Sequence, residues 1–241
     1  SGFPVCESGD DGLFAVTITA PDRGKGDFHD FAVAPDEYSD LSTSDNAGWS
    51  SWLTRNRAYL DDYANDSINI VMWSWCDISG HDVDGYIASM QALINEYGTG
   101  GSKIGTGIGK TRSTPVAFIF MTGHATAGSN TGAGRPKTQA QTIIDYCDEH
   151  GYFCLDYYGI DTHDMSGTYW EDAGDDGDSA AGGNFYSTWQ AAHTEGVDWY
   201  VNRSSPGGSV EAGAHNTQHI TANRKAFAFW WILARLAGWE G

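Results

Sequence analysis

Positive charge is what this chain has least of. Over 241 residues, 13 Lys and Arg stand against 32 Asp and Glu, for a formal net charge of −19 and a pI near 4.4. Such a surface repels a polyanion, which argues against DNA or RNA as a partner. Long apolar runs are missing too. The longest, Ala226 to Leu236, is short and contains Arg235, so no membrane span is expected. No signal peptide is visible, and Ser1-Gly2-Phe3-Pro4 reads as a mature or trimmed end. No Cys-x-x-Cys spacing occurs, against a zinc ribbon or haem attachment. The glycine-rich stretch Gly105 to Thr111 has Ile104 where a phosphate loop needs its first glycine, so it reads as a surface connection without nucleotide. Neither an internal repeat nor a second domain is apparent.

What the chain does contain suits one large domain with a buried core, residues 1–241 together. Acidity of this degree serves solubility. With Lys scarce and Asp crowding the loops, it also fits a saline or extracellular habitat. The four cysteines are an even set that allows three pairings. Cys147 and Cys154 flank a helix-to-strand turn and can close a short loop, leaving Cys6 to Cys76; disulfides of this kind fit a secreted protein.

Strand and helix signals alternate. Apolar β-rich runs at Ile68–Trp75, Pro115–Thr122 and Tyr152–Tyr158 are separated by helical spacing at Val83–Tyr97 and Thr138–His150. Near-continuous apolar strands between helices indicate a parallel sheet covered on both faces. Leu13–Thr19 reads as a further strand and Trp49–Tyr63 as a helix. The segment Asp161 to Gly213, rich in Gly, Asp and Ser and studded with aromatic residues, is a long insertion of the kind that carries function or small elements of its own. His219 stands at the mouth of a strongly apolar C-terminal helix that ends at Gly238.

Several motifs bear on chemistry. Asp172, Asp175, Asp176 and Asp178 pack carboxylates around two glycines, a weak calcium candidate that misses the EF-hand pattern; a solvated acidic loop is the plainer reading. Asn65-Asp66-Ser67 and Asn202-Arg203-Ser204 fit the glycosylation pattern. In a doubly wound sheet, residues just past the carboxyl ends of the strands line the ligand crevice. Here those are Ser74-Trp75-Cys76-Asp77, Thr122-Gly123-His124 and Asp156 to Asp161, joined by His215, Asn216 and His219 from the C-terminal loop. His124 and His215, each alone, read better as hydrogen-bonded loop residues; it is the group, with His219 and Asp77, that reads as a site.

Trp73-Ser74-Trp75-Cys76, Met121-Thr122-Gly123-His124 and the helix Phe229 to Trp239 resemble a secreted branch of the SGNH (GDSL-type) hydrolase superfamily, from about Asp27 onward. The resemblance implies an α/β fold, three-layer α/β/α and flavodoxin-like with a mostly parallel central sheet. It also implies ester or acetyl hydrolysis on acylated carbohydrates or lipids, with no cofactor required. In that superfamily a serine after the first strand attacks the acyl carbon and a histidine heading the last helix takes its proton. Preset donors then hold the oxyanion, each contributing roughly 3 kcal/mol. His219 matches the base, and Asn216 holds the place of its Asp partner. Backbone near Cys76 contributes to the oxyanion site, while Trp75, Asp77, His124 and His215 line the pocket. The nucleophile block has no match: Ser8 precedes a strand instead of following one, and Ser74 is the remaining candidate. Two readings therefore stand side by side. One is a hydrolase whose nucleophile strand is absent from this chain or supplied by another. The other is a non-catalytic extracellular module, in a surface layer or filament or bound to sugar, whose aromatic residues make the contacts.

Overall fold

The computed structural model describes residues 13–18, 26–29, 45–73, 77–201 and 218–240, and of 13–18, 26–29, 45–52 and 73 the backbone alone. In chain order these form β1 (Leu13–Ile18), β2 (Gly26–His29), α1 (Asp45–Asp61), β3 (Ile70–Trp73), α2 (Val83–Tyr97), β4 (Ala117–Met121) and α3 (Pro136–His150). There follow β5 (Cys154–Leu155), α4 (Tyr157–Thr162), β6 (Asp178–Ser179), β7 (Gly183–Asn184), α5 (Phe185–Ala192) and α6 (His219–Leu236).

The chain is a mixed α/β structure. Its main sheet has the order β2-β1-β3-β4-β5, with β3, β4 and β5 parallel and β1 antiparallel to both its neighbours. The parallel part is thus three strands wide, less than a mostly parallel sheet. The apolar pattern of Leu13–Ile18 reads the same in either direction, so it carried no information on strand sense.

Side chains alternate between the two faces of the pleat. Val71, Phe118 and Phe120 pack with Leu60, Tyr86, Met90, Leu93, Ile143 and Cys147 from α1, α2 and α3. Ile70, Met72, Ile119, Met121 and Leu155 meet Ile232 and Leu233 of α6 on the other face. Helices on both sides explain why these strands are apolar at every position. Each such fully buried side chain contributes about 1.5–3 kcal/mol.

The ends of the helices are fixed locally. Asp82 caps α2 by accepting the Gly85 N–H at 2.9 Å, and Gly151, at φ 70°, closes α3 in the left-handed region. The run Tyr152–Tyr158 is a strand only at Cys154–Leu155. Asp156 ends it by accepting the Gly159 N–H at 2.9 Å and starting α4. Between Asp161 and residue 201 the insertion holds the end of α4, the β6–β7 hairpin and α5.

Candidate functional site at the carboxyl edge of the parallel strands

The exits of β3, β4 and β5 are tied together by three short-range devices. Thr122, fully buried after β4, donates its hydroxyl to Asp156 Oδ1 (3.0 Å) and accepts the Tyr158 N–H (3.0 Å). The end of β4 is thereby pinned to the first turn of α4. At Gly123 an added Cβ would lie 2.7 Å from the Ile78 Cβ, so glycine lets the β4 exit close onto the 77–79 turn. That turn is shaped by Asp77, whose Oδ1 accepts the Ser79 N–H at 2.8 Å.

This closure gathers Asp77, His81 and His124. Burial pushes the Asp77 carboxyl up, but hydrogen bonds from Ser79 and the charges of His124 and His81 outweigh it and hold the group below its usual range. His124, half-buried, places Nδ1 2.8 Å from the Ala125 carbonyl oxygen. A carbonyl only accepts, so Nδ1 carries the proton, and in the neutral ring Nε2 is the basic atom.

Behind His124 lies a buried ion pair. Lys225 Nζ is 2.8 Å from Asp161 Oδ1, with the two side chains 3% and 0% exposed. Asp161 Oδ2 accepts the Ala125 N–H at 3.0 Å, and the ammonium also sits 4.4 Å from the centre of the Tyr157 ring. Sequence reasoning passed over Lys225. Its signal was there: residues 221, 225, 228, 229 and 232 share one helical stripe, and Thr221, Ile232 and Lys225 itself are buried on it.

His219 heads α6 as expected. The first turn is capped from outside: Gln190 of α5 accepts the Ile220 N–H at 2.6 Å. The imidazole stacks on Trp199, with centroids 5.5 Å apart and planes 10° from parallel. Burial pulls its pKa down, against the opposing charge of Glu195. Ser74, Trp75, Cys76, His215 and Asn216 lie outside the described residues, as do Cys6, Ser8 and Asn202.

The four carboxylates of the calcium candidate, Asp172, Asp175, Asp176 and Asp178, lie before and at the start of β6. Asp172 accepts from Ser179 Oγ and the Ala180 N–H, both at 2.7 Å, and Asp176 accepts the Asp178 N–H at 3.0 Å. Among the described residues no three His, Cys, Asp or Glu side chains are grouped to hold a metal ion. Cys147 and Cys154 lie 4.4 Å apart with no bond between them. Asn65 is half-buried and donates its Nδ2 to the Tyr59 carbonyl at 2.9 Å, so the atom a glycan would take is engaged. Gly105 to Lys110 lies exposed on the surface, and no helix of the described residues is long and apolar enough to cross a membrane. No protein-family model, no curated protein and no solved structure matches the chain.

Proposed function

We propose that this chain is an SGNH-type hydrolase of acyl esters on carbohydrates or lipids, secreted and of flavodoxin-like architecture, working at the carboxyl edge of β3, β4 and β5. The observation that carries the reading is His124, whose proton is fixed on Nδ1 beside Asp77. A ring held in that tautomer takes a proton on Nε2 from an attacking hydroxyl and returns it to the leaving alcohol. Asp77 stabilises the imidazolium formed in between. The nucleophile is a serine of the 74–79 segment. Ser74 is the candidate from the sequence. Ser79 is the described alternative, its hydroxyl buried beside the Asp77 carboxylate.

The resemblance to the superfamily puts the base at His219 with Asn216 as its orienting partner. The described geometry favours His124, and one assay separates the two. Purified protein is incubated with p-nitrophenyl acetate and with acetylated xylan, beside His124→Ala and His219→Ala. Turnover in the wild type that falls by about 10²–10⁴ in His124→Ala alone is the expected result. Loss in His219→Ala with His124→Ala unaffected moves the base to α6. Equal background in all three proteins ends the hydrolase reading.

A second reading, the non-catalytic extracellular module, is favoured by one separate observation. Phe227, Trp231 and Trp239 on and after α6 are 55%, 52% and 50% exposed. Large aromatic side chains left in water in this way suit stacking on sugar or contact with another protein.

A further inference from the structure

The buried ion pair between α4 and α6 needs a reason. Removing two charges from water is expensive, and an apolar pair of similar bulk often serves stability as well or better. Lys225 and Asp161 are 3% and 0% exposed. They stand at the exit of β4, where three elements converge: Lys225 from α6, Asp161 from α4, and the Ala125 amide from the strand end.

The geometry points to Lys225 and Asp161 as positioning residues for the His124 imidazole. Lys225 holds Asp161 Oδ1 at 2.8 Å. Oδ2 grips the Ala125 N–H at 3.0 Å. The same Ala125 residue turns its carbonyl oxygen to His124 Nδ1 at 2.8 Å. The N–H and the carbonyl of Ala125 belong to successive peptide units: Asp161 anchors the first, and Asn130 Oδ1 anchors the second by accepting the Thr126 N–H at 2.7 Å. With both units held, the ring is kept in one orientation and one tautomer. Two further contacts stiffen the frame. Arg224, next to Lys225, donates to the carbonyls of Ile160 (3.3 Å) and His163 (2.6 Å) and so closes the end of α4. Thr122 fixes the start of α4 through the Tyr158 N–H. Asp161 is therefore held from both ends of its helix as well as through its own carboxylate.

The inference rests on the hydrolase reading only in that it gives His124 a task; the orientation of the ring is measurable without any substrate. Heteronuclear NMR on protein carrying ¹⁵N-labelled histidine reads the tautomer. The wild type is expected to show His124 protonated on Nδ1 alone when neutral. Asp161→Leu/Lys225→Met exchanges the charges for apolar groups of similar bulk, a change that buried ion pairs tolerate. In that variant both tautomers are expected, with kcat on p-nitrophenyl acetate lowered about tenfold or more and KM little changed. Lys225→Arg keeps the positive charge and the wild-type spectrum. A folded double variant that still shows the Nδ1 proton alone overturns the inference. Should the double variant fail to fold, hydrogen exchange of the Ala125 amide in the wild type decides instead. Slow exchange supports the grip, and exchange at the rate of an open loop overturns it. Absence of esterase turnover in the wild type ends the hydrolase reading, while the tautomer result stands or falls separately.

Discussion

At Asp161 burial outweighs the ammonium of Lys225 and the Ala125 N–H, and with Asp175 adding repulsion the carboxyl is pushed up to about 7. Unfolded, an aspartate titrates near 3.9. Between these values the folded state binds the extra proton, so this group's contribution is full below about 4 and is lost as pH rises through about 7. The prediction is differential. Thermal melts of the wild type and Asp161→Asn, taken from pH 4 to pH 8, should show the wild type losing stability relative to the variant across that window. Parallel curves would mean that the carboxylate is ionised throughout and fully offset by Lys225. Asp77 works in the opposite sense. Its pKa is held below the usual range despite partial burial, so its contribution is present at neutral pH and lost only in acid. Asp77 and Asp161 therefore respond to pH in contrary ways, and the difference follows from burial: Asp161 is fully buried while Asp77 is only partly so.

Among the elements, the segment joining α1 to β3 depends on a residue far along the chain. Arg112 is 2% exposed and donates to the carbonyls of Leu60 (3.0 Å) and Asn65 (2.9 Å) through one nitrogen, and of Asp66 and Ile68 through another. Desolvation pulls its pKa down, against the charges of Asp66 and nearby groups. Arg112→Met would strand those carbonyls at a cost of about 3 kcal/mol. For a chain of this size that lowers the melting midpoint by roughly 6–12 °C, measurable by circular dichroism. An unchanged midpoint would show that water replaces the guanidinium. No local pattern in the sequence announced this role, because the four carbonyls it serves between α1 and β3 lie more than forty positions upstream. Elements defined by their own periodicity were legible: α2 runs from Val83 to Tyr97 as its apolar spacing requires, and β4 lies within its apolar run. Tyr157 and Tyr158 were misread as strand because their aromatic character outweighed the capping geometry of Asp156 and Gly159. At the site, the strand exits at Asp77 and at Thr122 to His124 followed from the α/β rule. The ion pair did not, since nothing in a one-dimensional pattern matches a lysine on α6 to an aspartate on α4.

On the scale of the whole molecule, a net charge of −19 keeps copies apart until salt intervenes. The Debye length falls from about 30 Å at 0.01 M to about 3 Å at 1 M ionic strength. If the aromatic residues of α6 serve a non-catalytic module, self-association should strengthen over that range, or the protein should be held back on a polysaccharide column. Phe227→Ser/Trp231→Ser should abolish either behaviour. Sedimentation that stays monomeric at every salt concentration, together with unretarded elution, would remove the module reading. The small size of β5 bears on how copies could meet. Two residues, Cys154 and Leu155, make up the strand at that border of the sheet, too few to template an incoming chain by backbone pairing. Among the described residues this border gives a fibre built by strand addition too little to start from, so copies joining here would meet through side chains such as Trp231 of α6, whose ring lies 6.4 Å from that of Phe153 beside β5.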